Sequence, residues 1–234
     1  GESMVDSVGE PLIVGKKYIL ETANFCSPQN SRPFVHYGAF CGDQEVQEGG
    51  QTKRCRGPGV VRCGLMPHSQ DPHGHKSSKL AMQPSSYGGS DAAAHWIVFE
   101  ATDTPNEYRI RMQTSWCPEL TDGKCPGYND PCNYLAINDW RSGRQFQGNT
   151  TIVLATKMGS ANMYPDSQKR WGFGKVGDAS YTIRSLSHES ETGDVDRGYM
   201  SNYIGGGGCG GVAVEAGLPD PSTRAWKFIK HPNQ

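Results

Sequence analysis

No stretch of this chain is apolar for more than a few residues, far short of the roughly 20 that a membrane-spanning helix needs. Sustained 3.6-residue apolar periodicity is missing as well, which argues against long amphipathic helices. Neither sign of charge is in excess: 23 Lys and Arg stand against 24 Asp and Glu, for a net charge of −1. A balance of that kind offers no basic face to nucleic acid and no polybasic patch to a membrane. The patterns Gly-x-Ser-x-Gly and His-Glu-x-x-His and a phosphate-binding loop are absent, so no local motif marks an enzyme. No two cysteines are separated by the two-residue gap of a zinc knuckle. No hydrophobic leader opens the chain, so a secreted protein would be present here in its mature form.

What is abundant is glycine and proline, 30 and 15 in 234 residues. Twelve strands of ordinary length would use only about 60 residues, so loops dominate. Eight cysteines lie in this loop-rich sequence: Cys26, Cys41, Cys55, Cys63, Cys117, Cys125, Cys132 and Cys209. An even number in such a context reads as a disulfide framework formed in an oxidising compartment. Proximity favours bonds within the group Cys26 to Cys63 and within the group Cys117 to Cys132, with Cys209 joining one of them; the pairing stays open. Asn149-Thr150-Thr151 is a glycosylation acceptor triplet, consistent with secretion.

Three segments of the chain begin and end alike. The openers are Tyr18-Ile19-Leu20-Glu21, Tyr108-Arg109-Ile110-Arg111 and Tyr181-Thr182-Ile183-Arg184; the closers are Trp96-Ile97-Val98-Phe99, Trp171-Gly172-Phe173 and Trp226-Lys227-Phe228. Inside each unit lies a tyrosine-led segment, Tyr37 to Phe40, Tyr134 to Ile137 and Tyr199 to Asn202. A third, aliphatic segment follows it, Leu80 to Met82, Ile152 to Ala155 and Val212 to Val214. Four strands repeated three times predict an all-β fold, a β-trefoil of twelve short strands in three four-stranded units with long, disulfide-stapled loops. The single domain covers residues 1–234, with units of about 5–100, 101–176 and 177–234. Alternation in Tyr108 to Met112 sets apolar residues on one face and arginines on the other. The closing tryptophans and their phenylalanine partners are expected to fill the barrel.

The N-terminus reads Met4-Val5-Asp6-Ser7-Val8-Gly9-Glu10-Pro11-Leu12, then five residues, then Tyr18-Ile19-Leu20. This resembles the opening signature of the Kunitz-type soybean trypsin inhibitor family: aliphatic-x-Asp, Gly, a polar residue, Pro-Leu, then a Tyr-x-aliphatic strand. The resemblance covers about twenty residues. It implies a β-trefoil and inhibition of a serine protease by a loop between the fourth and fifth strands. The type member carries Tyr-Arg-Ile-Arg there, and Tyr108-Arg109-Ile110-Arg111 matches it. Carried over, Arg109 would enter the acidic pocket of a trypsin-like protease, Ile110 would follow the scissile bond, and Tyr108 would flank it. A long cation against a buried carboxylate, on a loop that loses little entropy, is sound inhibitor chemistry. This chain departs from the family at Val8, at Val14, where the family has a bracing Asn, and at Cys209, which stands alone in the third unit.

The same trefoil plan serves lectins, and Trp116, Trp140 or Tyr128 in loops are candidates to stack on a sugar. A structural or extracellular matrix protein is a third reading, with the stapled loops making self-contacts. His68, His73 and His75 fit a solvated polar loop better than a metal site, since no Cys or acid accompanies them at ligand spacing. The acidic run from Glu189 to Asp196 lacks the alternate-position ligands of a calcium loop. The expectation is thus a secreted, extracellular, non-enzymatic binding protein with no cofactor or metal. Its partner would be a serine protease or a glycan, with neither nucleic acid nor membrane insertion.

Overall fold

A computed structural model describes residues 3–23, 44–55, 59–67, 77–84, 95–114, 133–137, 145–146, 150–157, 166–186, 198–203, 211–215 and 224–232. The fold is all-β. Six strands close a ring: β1 (Lys17–Thr22), β6 (His95–Ala101), β7 (Tyr108–Thr114), β11 (Trp171–Lys175), β12 (Tyr181–Ser185) and β15 (Trp226–Lys230). Each pairs antiparallel with both ring neighbours, and β15 returns to β1, so the ring has no free edge. Three hairpins extend from one end: β4 (Gly59–Pro67) with β5 (Ser77–Pro84), β8 (Asn133–Ile137) with β10 (Thr150–Lys157), and β13 (Tyr199–Tyr203) with β14 (Gly211–Glu215). The hairpins meet one another through β5, β10 and β14. This is a trefoil-like arrangement with approximate threefold symmetry.

Fifteen strands are present among the described residues rather than the expected twelve. The hairpin of β2 (Gln44–Glu48) with β3 (Gln51–Cys55) forms a sheet of its own, and β9 (Gln145–Phe146) adds to β10. The threefold relation shows in the register. Tyr18 faces Ile97, Tyr108 faces Trp171 and Tyr181 faces Trp226. Two residues further along those strands, Phe99, Phe173 and Phe228 meet edge to face, with centroids 5.1 to 5.8 Å apart, the geometry that the ring quadrupole favours. Across the ladder from them lie Leu20, Ile110 and Ile183, each 1% exposed or less. Burial of each such side chain stabilises by about 1.5–3 kcal/mol.

Register also corrects two sequence expectations. Trp171 and Trp226 are wholly buried, but Trp96 is not among the buried residues. In Trp171-Gly172-Phe173 and Trp226-Lys227-Phe228 the two aromatics are two residues apart and share a face; in Trp96 to Phe99 they are three apart and cannot, because strand side chains alternate. Ile97 therefore takes the core seat, and Trp96 turns outward under the Lys17 ammonium, 4.6 Å from the ring centroid. Volumes compensate across the ladder: Trp171 faces Ser185 and Trp226 faces Thr22, whereas the smaller Ile97 faces Met112. The second correction concerns the first unit. Its hairpin strand is β4, where Val60 and Val61 are each 1% exposed. Val60 pairs with Glu21 as Tyr134 pairs with Arg111 and Tyr199 with Arg184. Tyr37 to Phe40, expected in that role, lies outside the described residues.

The indole N–H groups tie ring to hairpins, Trp171 Nε1 donating to the Leu135 carbonyl at 3.0 Å and Trp226 Nε1 to the Met200 carbonyl at 2.9 Å. In the first unit Thr22 makes the link instead. Its hydroxyl donates to the Gly59 carbonyl at 3.2 Å and accepts from the Gly59 N–H at 3.1 Å.

Candidate functional site

At the ring end opposite the hairpins, three segments converge: the N-terminal strap 3–16, the loop 102–107 between β6 and β7, and the turn 176–180 between β11 and β12. The residues that carry the family resemblance shape the strap. The Asp6 carboxylate, 2% exposed, accepts from the Val8 and Glu10 N–H groups at 3.0 Å each, which folds the chain back on itself. Gly9 closes that turn at φ 88°, a conformation that costs glycine little. Val5 bridges Pro11, and the Leu12 N–H donates to the Met4 carbonyl at 2.9 Å. The strap is pinned to the ring where the Ser7 N–H donates to the Phe228 carbonyl at 2.8 Å and the Gly15 N–H to the Phe99 carbonyl at 3.1 Å.

The loop 102–107 is held from within and from outside. Inside, the Thr102 hydroxyl donates to the Thr104 and Glu107 carbonyls and accepts from the Thr104 N–H. From outside, Arg170 Nη1 reaches Asp103 Oδ1 at 2.7 Å and Glu107 Oε2 at 3.0 Å. The Glu107 contact carries more of the hold, because its side chain is 26% exposed against 78% for Asp103, and solvent screens exposed pairs. Arg170 holds the Asp103 carboxyl below its ordinary value of 3.8, first by the hydrogen bond and then by its charge. A lowered acid pKa means that this support is complete above about pH 4 and fades as pH falls through the lowered value. In a pH titration followed by NMR, we expect the Asp103 carboxyl of Arg170→Gln to titrate at higher pH than that of the wild type. Coincident curves would mean that the ion pair does not form in solution.

The three protease-contact residues expected from sequence separate in the structure. Tyr108 sits at the mouth of the ring, half-buried. Arg109 lies in the β7 ladder opposite Glu100, and Ile110 is 0% exposed in the core. The Arg109–Ile110 bond is therefore a paired strand bond, and the loop itself displays Asp103, Thr104, Pro105 and Asn106. Outward from this ladder, Glu100 accepts from Arg111 Nε at 3.1 Å and from the Tyr134 hydroxyl at 2.5 Å. Burial, then the Glu100 carboxylate, push the Tyr134 phenol up. That network gives the arginine face of β7 a structural occupation.

Cys55 closes β3 and Cys63 lies in β4 opposite Leu80. The other six cysteines, Asn149, Trp116, Trp140, Tyr128, His68, His73, His75 and the run 189–196 lie outside the described residues. Two features at the mouth escaped the sequence reading. One is Arg170, whose partners are more than 60 residues away in the chain. The other is a set of exposed aliphatic side chains: Val8 at 76%, Ile13 at 55%, Val14 at 53% and Val176 at 54%. These are the exposed large hydrophobic residues among those described, and all four belong to the strap or to the turn 176–180.

No family model and no curated protein matches the chain. Among solved structures, the chain is similar to a designed threefold-symmetric protein, ThreeFoil, at 7% identity and a TM-score of 0.40, covering 91% of this chain and 97% of that one. It is also similar to 1,3Gal43A, an exo-β-1,3-galactanase from Clostridium thermocellum, at 8% identity and a TM-score of 0.45. That match covers 94% of this chain, which spans 31% of the galactanase chain.

Proposed function

We propose that the protein is a secreted, non-enzymatic binding protein on a β-trefoil scaffold, and that it engages a serine protease with the mouth end of its ring. One observation carries the reading: the exposed aliphatics Val8, Ile13, Val14 and Val176 gather on two segments of one end. Apolar side chains grouped within a polar rim are the anatomy of a protein interface. The braced loop 102–107 beside them is a preorganised element on a rigid scaffold, which reduces the entropy lost on association. The N-terminal resemblance to the Kunitz-type inhibitor family favours a protease as the partner. Because Ile110 is core, the protease cleft receives the tip from Asp103 to Asn106 and not the Arg109–Ile110 bond. An acid and small polar groups at that tip disfavour a pocket selective for long cations.

The test is an active-site titration of serine proteases of different primary specificity. At least one is expected to lose activity stoichiometrically. Val176→Asp should weaken that complex about tenfold or more, since charge in an apolar interface is left unpaired, while Arg109→Ala leaves it intact. Inhibition abolished by Arg109→Ala and indifferent to Val176→Asp would return the contact to the Arg109–Ile110 bond. No inhibition at micromolar protein would reject the protease as partner.

A further inference from the structure

Tyr18, Tyr108 and Tyr181 occupy equivalent seats in the ring, yet among the described residues only two of the seats are covered. At the first seat the Ile13 N–H donates to the Tyr18 hydroxyl at 2.9 Å; at the third the Val5 N–H donates to the Tyr181 hydroxyl, also at 2.9 Å. Both tyrosines are 3% exposed. The two donors sit in the same local sequence. Each is a β-branched aliphatic residue preceded by an apolar one, Met4-Val5 and Leu12-Ile13, and Met4 and Leu12 pack against the core. The strap thus fills two seats with one chemistry: an apolar side chain packed against the core and the next residue's N–H on the phenol.

Among the described residues the second seat is open. No described residue hydrogen-bonds to the Tyr108 hydroxyl, and Tyr108 is only partly buried. The phenylalanine layer repeats the contrast. Phe99 and Phe228 are 2% and 0% exposed, whereas Phe173, whose ring lies 5.6 Å from that of Tyr108, is only partly buried. Exposed Val176 follows three residues after Phe173 in the chain. An aromatic pair with an unengaged hydroxyl, at a position whose two equivalents are both filled, defines the chemistry of its missing occupant.

We propose that the seat at Tyr108 and Phe173 receives an extended segment of the protein partner bearing an apolar residue followed by a β-branched aliphatic one. The first residue lies on the Phe173 and Tyr108 rings. The N–H of the second donates to the Tyr108 hydroxyl, as Ile13 and Val5 do at their seats. This deepens the binding reading above and rests on it for the identity of the face that meets a partner; the chemistry of the occupant comes from the internal symmetry.

The probe is a capped peptide copying residues 9–15 of this chain, Gly-Glu-Pro-Leu-Ile-Val-Gly, added to the whole protein and followed by aromatic-ring NMR. Saturable shifts are expected at Tyr108 and Phe173. Tyr108→Phe should weaken binding about fivefold, the value of one hydrogen bond. A peptide N-methylated at its isoleucine should weaken it equally, with no further loss when the two changes are combined. Melting provides a separate readout: Tyr108→Phe leaves Tm unchanged, whereas Tyr18→Phe and Tyr181→Phe each lower it. The inference is overturned by silence of both rings up to about 5 mM peptide, by equal binding in Tyr108→Phe, or by a Tm loss in Tyr108→Phe matching that of Tyr181→Phe. It is also overturned by a dimer that Tyr108→Phe dissociates, since a second copy would then be the occupant. Peptide binding without protease inhibition rejects the protease and keeps the seat; protease inhibition without peptide binding does the reverse.

Discussion

Trp226→Ala is expected to lower the free energy of unfolding by about 3–5 kcal/mol, the range for removing a fully buried aromatic side chain. Urea unfolding measures it as a lower midpoint at an unchanged slope. Two losses combine. The indole is wholly buried beside Thr22, and a threonine cannot expand to fill the space. The Met200 carbonyl also loses its 2.9 Å donor inside the protein, and a buried acceptor left without a partner costs about 1–3 kcal/mol on its own. Trp171→Ala should behave alike through Ser185 and the Leu135 carbonyl. Trp96→Ala should cost far less, because that ring lies outside the core seat. Equal losses at all three tryptophans would show that Trp96 fills the core after all.

Ile110→Ala should destabilise by about 2–5 kcal/mol, while Arg109→Ala stays within about 1 kcal/mol. Ile110 is 0% exposed across the ladder from Phe99, so its removal leaves a cavity among close-packed aromatics. Arg109 is half-buried at the ladder surface, where a charged side chain contributes little. The pair of measurements, again by urea unfolding, separates a strand from a displayed loop. In a loop poised for a protease, the residue after the scissile bond is exposed and its truncation hardly affects folding. A loss under about 1 kcal/mol at Ile110 would contradict the buried strand.

The repeat was legible because the two-residue alternation of Tyr18, Tyr108 and Tyr181 with Leu20, Ile110 and Ile183 is the physical requirement for closing the ring. The same alternation already placed Ile110 inward. The likeness of Tyr108 to Arg111 to an inhibitor loop competed with that, and in the folded chain Ile110 is buried. Trp96 was misleading for a reason of register, whereas Tyr37 lies outside the described residues. Residue type was matched without register, and one extra residue between Trp96 and Phe99 moves the indole to the other face. Val60 in the seat of Tyr134 and Tyr199 has no aromatic to reveal it. The mouth was the least legible part. Arg170 meets Asp103 only after β7 and β11 have paired, and the open seat at Tyr108 is defined by what the strap does at two other places.

The clasp between Thr22 and Gly59 has a consequence for how this protein could change over time. Its reciprocal hydrogen bonds bring the two ends of residues 23–58 together at the ring wall, and the β2–β3 hairpin within that stretch pairs with no ring strand. Among the described residues, the ring therefore pairs with the ends of the excursion and with nothing between them. Closing a loop costs only about 0.6 kcal/mol more for each doubling of its length, so the segment can be lengthened, shortened or replaced at small cost. The first unit is in that sense a port, a place where new surface can be grafted while the aromatic layers stay as they are.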